Sequence, residues 1–192
     1  MTSLYIAEAL GAMASSHLLF SGGGIANACL ARSRETPSEM PHPVDSASTA
    51  AATRLVSSLY RGDGLVDPEL VTSDVTFTDP AACCAGKSEV AEAFRALTFC
   101  KPESITEPSI VSPLSQDGRL SFNLHQRYFA GPIFKQGLEV RSTLVVRVAP
   151  DGRVRELEER WNGEPLLWWA PFRWTRRFNG MLSGLLTPLA LR

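Results

Sequence analysis

Hydrophobic and polar residues recur with two different periods along this chain, and the change of period marks its elements. Ala52, Leu55, Val56 and Leu59 follow helical spacing behind Ser46 or Ser48 as the cap, and Gly62 and Gly64 end the run. Asp67-Pro68 predicts a short helical turn, with Asp as N-cap and Pro at the first helical position. Val75 to Thr78 reads as a short strand closed by Asp79-Pro80. Lys87 to Leu97 is the next helix, with Val90, Phe94 and Leu97 on one side and Pro102 after its end.

From residue 119 the period falls to two. In Arg119 to Phe129, Leu120, Phe122 and Leu124 are apolar while Ser121, Asn123, His125 and Arg127 are polar, the pattern of a half-buried strand. The alternation returns in Leu138 to Val148, where Leu138, Val140, Leu144, Val146 and Val148 oppose Glu139, Arg141 and Arg147. Pro150-Asp151-Gly152 is a turn into the strand Arg153 to Trp161, so three strands predict an antiparallel meander. Glu103 to Leu114 is the strand before them, less regular because of Pro108 and Pro113. Helices followed by long antiparallel strands give an α+β class, with helices laid on one face of a curved sheet.

Both ends of the chain break this pattern. Residues 1–46 join an Ala/Ser/Gly/Leu-rich stretch containing Gly22-Gly23-Gly24 to a segment with Pro37, Pro41 and Pro43, and are expected to be a disordered leader. Leu18 to Leu30 is apolar and Ala26-Asn27-Ala28 is like a secretory cleavage site, but the first residues lack the positive charge of such signals. A transit peptide is the alternative, though Arg is scarce before residue 32, and Met40 is an alternative start. At the other end, residues 165–192 hold Trp168, Trp169, Trp174, Phe172 and Phe178 with four arginines and no acidic residue. Phe178, Met181, Leu182, Leu185, Leu186 and Leu189 form a helical apolar stripe behind Arg173, Arg176 and Arg177, as in segments that lie in a membrane interface. The alternative is a helix that covers the body's open end or forms a dimer contact, its arginines staying in water. Trp and Arg can also stack on bases, but no nucleic-acid-binding motif accompanies them.

Composition narrows the classes. With 192 residues, 44% of them hydrophobic, the chain can bury a core within one domain and is not wholly disordered. A net charge of −1, and no apolar run of the roughly 18–20 residues that span a bilayer, argue against a generally basic nucleic-acid binder and a polytopic membrane protein. Residues 1–117 carry twice as many acidic as basic side chains, and residues 118–192 the reverse. That asymmetry suits either a basic surface for phosphate or anionic lipid, or strands that carry solvated charges. Cys29, Cys83, Cys84 and Cys100 lack C-x-x-C spacing and histidine partners, so no zinc site is expected. A disulfide between the neighbours Cys83 and Cys84 is strained, so reduced thiols in an intracellular, reducing compartment are the expectation. The chain has no P-loop, dinucleotide fingerprint or metal-ligand cluster, and no cofactor is implied.

Phe77-Thr78-Asp79-Pro80, then Gly86 opening the helix Lys87 to Leu97, then Gly152-Arg153-Val154 leading into Glu158-Glu159-Arg160-Trp161-Asn162-Gly163 together resemble the nuclear transport factor 2-like superfamily and, within it, the SnoaL-like proteins. The resemblance covers residues 47–163, followed by an extension over 164–192. The ending Phe172-Arg173-Trp174-Thr175-Arg176-Arg177-Phe178-Asn179-Gly180 is also similar to the tail of SnoaL-like proteins of uncharacterised function. It implies a cone-shaped, cystatin-like fold: a bent antiparallel sheet wrapped on N-terminal helices around an apolar pocket. It also implies homodimers in many members, and either ligand binding or the cyclase, dehydratase and isomerase chemistry of a pocket Asp or Asp-His pair.

That chemistry needs a carboxylate or histidine of tuned pKa in a dry pocket. Glu159 alternates with Leu157 and Trp161, so if Leu157 points inward all three line the pocket. Asp79 matches the superfamily's F-x-D-P position, yet Asp before Pro is also an ordinary turn residue. Glu159 and Asp79 are the candidate acid–base residues; Trp161, Leu157, Phe77 and Tyr128 are the candidate ligand contacts. His125 sits on the polar face of its strand beside Arg127, facing water or a second subunit, so no Asp-His dyad is expected. The functional expectation is a small apolar ligand in the cone, with an acid–base enzyme or a membrane or protein-interaction module as alternatives.

Overall fold

A computed structural model describes residues 46–80, 82–129, 137–161 and 170–190, apart from the side chains of 170–173, 183 and 188–190. The leader, Met40, Trp168 and Trp169 lie outside the described residues.

Helix α1 (Ser46–Tyr60) buries Ala52, Leu55, Val56 and Leu59, as the spacing predicts, and adds Tyr60 at its last turn. After a 3₁₀ turn (Pro68–Leu70) capped by the Asp67 side chain, strand β1 (Val71–Thr78) begins four residues earlier than the alternation shows. Asp79 and Pro80 then reverse the chain into β2 (Cys83–Ala85), a three-residue strand too short to leave a periodic signal. Gly86, at φ 84, leads into α2 (Lys87–Ala96), which buries Val90 and Phe94. A second 3₁₀ turn (Leu97–Cys100) is followed by β3 (Glu103–Ser112), β4 (Arg119–Tyr128), β5 (Leu138–Val148), β6 (Val154–Trp161) and the C-terminal helix α3 (Ala170–Ala190).

The six strands form one sheet in the order β2-β1-β6-β5-β4-β3. The meander β4-β5-β6 is antiparallel as predicted, but β6 pairs with β1 in parallel, so the sheet is mixed rather than wholly antiparallel. Register shifts between β1 and β6, β3 and β4, and β5 and β6 add local twist, which bends the sheet around the helices. Its concave face carries Leu120, Phe122 and Leu124 from β4, Leu144, Val146 and Val148 from β5, Val154 and Leu157 from β6, and Val71, Val75 and Phe77 from β1, all buried against α1 and α2. Phe94 of α2 is the hub: its ring lies 5.5 Å from Tyr60 and 4.7 Å from Phe77, in edge and tilted geometries that favour aromatic pairs. Cys83 and Cys84 are buried and Cys100 is half-buried, none of the three in a disulfide.

The C-terminal helix departs from expectation. It lies on α2 and β2, and its arginines do not stay in water: Arg176 is buried with Nη1 donating to the Asp79 carbonyl at 3.2 Å, and Arg177 donates through Nη2 to Glu89 Oε1 at 2.8 Å. Of the apolar stripe, Phe178, Met181, Leu185 and Leu186 are exposed, as is Trp174, while Leu182 is half-buried. Gly180 sets this orientation, because a Cβ there would stand 2.1 Å from the Cys83 carbonyl oxygen. Only a glycine face lets the helix approach β2 so closely.

Candidate functional site

The concave face changes character towards one end of the sheet. Inward-facing positions are Leu, Val and Phe along most of its length, but at the last turns before Tyr128 and Trp161 they become Gln126, Ser142 and Glu159. All three are buried, at 1%, 6% and 4% exposure. Polar groups so placed survive only if hydrogen-bonded. Gln126 and Ser104 of β3 bond each other, amide nitrogen to hydroxyl, at 3.0 Å. Glu159 is held from two elements: the Tyr60 hydroxyl at the end of α1 donates to Oε2 at 2.7 Å, and the Ser142 hydroxyl on β5 donates to Oε1 at 2.6 Å. The Trp161 indole is a third donor.

Burial and these donors act in opposite directions on the carboxyl. Desolvation disfavours the anion, whereas the bonds from Ser142, Tyr60 and Trp161 favour it; burial wins, and the pKa rises above the ordinary 4.5. The neighbouring phenols are pushed up too. Tyr60 is raised well above its usual range first by burial and then by the Glu159 charge; Tyr128 is raised by burial, then by Glu159, Asp79 and Cys100. The Cys100 thiol is raised by burial. Both tyrosines therefore feel the charges of Glu159 and Asp79.

The residues singled out in the sequence occupy distinct places. Leu157, Glu159 and Trp161 share the inward face of β6, with Leu157 fully buried and paired in register with Phe77. Leu157 and Phe77 belong to the buried apolar core, which Glu159 adjoins two residues further along β6, while the half-buried Trp161 and Tyr128 stand at the strand ends. Asp79 spends its carboxylate on the β1–β2 turn: Oδ1 accepts the Ala82 N–H, and the Asp79 N–H reaches the Ala82 carbonyl at 3.0 Å. It reaches the site through its charge on the two tyrosines. His125 is on the convex face, 3.5 Å from Glu139, so it forms no dyad with Glu159. Among the described residues no group of three or more His, Cys, Asp or Glu side chains is placed to hold a metal ion.

Three residues of this constellation, Tyr60, Ser142 and Gln126, were not singled out in the sequence. Their signals were present: Ser142 interrupts the apolar positions Val140 and Leu144, Gln126 continues the series Leu120, Phe122, Leu124, and Tyr60 stands one helical turn after Val56. A polar residue in an apolar register is the mark of a buried polar network.

This bent six-stranded sheet with helices on its concave face is the nuclear transport factor 2-like fold, the architecture that also contains the SnoaL-like proteins. An NTF2-like protein from Anabaena variabilis superposes with a TM-score of 0.50 at 14% identity, over 66% of this chain and 97% of that one. A protein assigned as a SnoaL-like polyketide cyclase from Jannaschia sp. CCS1 gives 0.49 at 20% identity, over 65% and 92%. The epoxide hydrolase/cyclase-like enzyme SalBIII, of pyran ring formation in polyether salinomycin, gives 0.49 at 16% identity, over 61% and 92%. No family model and no curated protein matches the sequence. At 14% identity the likeness to the Anabaena variabilis protein establishes the fold alone.

Proposed function

We propose that the chain binds a small, largely apolar molecule at the end of the concave face where Glu159 lies, the carboxyl group anchoring a hydroxyl or carbonyl of the ligand. The observation that carries this reading is Glu159 itself: a carboxyl only 4% exposed, bonded to Tyr60 and Ser142 and adjoining the apolar core. A few convergent polar groups in an otherwise apolar concavity are what a small-molecule site requires. In its neutral form Glu159 donates to a carbonyl; as an anion it accepts from a hydroxyl. Native mass spectrometry of the full chain purified from a cell extract tests it. Wild type is expected to carry a retained molecule, and Glu159→Gln to bind it at least about tenfold more weakly, as for loss of a charged hydrogen bond. Equal retention by both removes Glu159 from the site.

A second reading is favoured by one observation, the raised pKa of the same carboxyl. A group poised above its usual range serves as a general acid or base in a cofactor-free cyclisation, dehydration or isomerisation. Glu159→Gln then abolishes turnover of the bound molecule while leaving the fold intact; undiminished turnover eliminates this role.

A further inference from the structure

The C-terminal helix α3 is amphipathic in the reverse sense from a helix that closes a core. Its inward side consists of Arg176, Gly180, Gly184 and Thr187, fixed by polar bonds to the Asp79 and Cys83 carbonyls and to Glu89. Its outward side shows Trp174, Phe178, Met181 and Leu185 at intervals of four, three and four residues, with Leu186 beside them, 43–65% exposed. Arg177, next to Phe178 in sequence, is turned in to Glu89. The close approach at Gly180, where a Cβ would stand 2.1 Å from the Cys83 carbonyl oxygen, holds the helix with the stripe outward.

We infer that this face docks the protein on a phospholipid bilayer, with α3 lying in the plane of the interface. Three observations select a bilayer. The five exposed side chains offer an apolar strip on the order of 500 Å², taking about 200 Å² for each large side chain, which is at the upper end for a free-standing chain. Two copies meeting through it bury only about 1,000 Å² in total, below the roughly 1,200–2,000 Å² of a stable pair. The strip is aromatic at its N-terminal end, where Trp174 and Phe178 are exposed, and indole rings favour the headgroup level. Finally, residues 165–192 contain four arginines and no acidic side chain, so nothing in the segment repels an anionic headgroup. Among the described residues no helix is long and apolar enough to cross a membrane, which leaves the interfacial mode.

Flotation of the full chain with phosphatidylcholine vesicles containing phosphatidylglycerol tests this. Wild type is expected to float, and brominated lipid to quench a fluorescence component that Trp174→Phe removes. Leu185→Ser is expected to lower partitioning about tenfold, and Trp174→Ser, Phe178→Ser and Leu185→Ser together to leave the protein at the bottom with an unchanged circular dichroism spectrum and Tm. The inference is overturned if wild type does not float, or if the triple variant floats equally. It is also overturned if the chain forms a dimer that the same substitutions abolish while vesicles are not bound.

Discussion

Glu159 is buried between the Tyr60 and Ser142 hydroxyls, and because burial outweighs their bonds it gives stability a specific dependence on pH. Its folded pKa lies above the unfolded value near 4.5, so the folded chain holds the proton more tightly than the unfolded chain does. This contribution is fully present below the unfolded pKa and is lost as pH rises through the folded one. Denaturant unfolding across that window is expected to show stability falling with pH in wild type, and Glu159→Gln to abolish this component of the slope. Equal slopes would mean that the carboxyl titrates as an exposed group does. At this scale the sequence was half legible. The alternation Leu157, Glu159, Trp161 put the carboxyl on the inward face, but the donors Tyr60 and Ser142 stand 99 and 17 residues away along the chain. Which polar side chains converge is decided by strand register and helix placement, and neither is written in local spacing.

At the scale of elements, the clearest local signals became elements close to their expected bounds. The β4, β5 and β6 strands and α2 followed their periods, because half-buried strands and amphipathic helices are specified by the face they bury. The β2 strand was hidden by its length; the apolar stripe of α3 was legible, read either as a membrane-interface face or as a covering helix, and the second reading follows the ordinary rule that apolar faces pack inward. That rule gives way here to a backbone contact: Gly180 against the Cys83 carbonyl. Gly180→Ala is therefore expected to destabilise the chain by about 1–3 kcal/mol, a fall of several degrees in Tm, since the facing atom is backbone and cannot yield. Gly184→Ala meets Glu89 with its tightest contact to a side-chain atom, Cγ at 3.3 Å, the backbone Cα standing at an ordinary 3.6 Å, and gains helix propensity, so it is expected to be neutral or better. Thermal melts of the two variants separate these outcomes; similar behaviour of both would mean that α3 is not seated through Gly180.

Over the whole molecule, one curved sheet gathers α1 and α2 into a single core and leaves two surfaces of different chemistry. The end near Glu159 concentrates buried hydrogen-bonding groups beside the apolar core. The exposed side of α3 presents apolar groups whose arginine neighbours are turned inward. The α+β class and the curved sheet were legible from element order, while the parallel pairing of β1 with β6 was not, because strand order across a sheet depends on contacts far apart in sequence. The measurement that tests ligand binding at Glu159 most directly is a crystal structure of the full chain purified from a cell extract. The predicted result is an apolar molecule with a polar atom within hydrogen-bond distance of the Glu159 carboxyl. The same space filled by the chain's own Trp168 or Trp169 would contradict it, and would make the Glu159 network a structural element of a closed body.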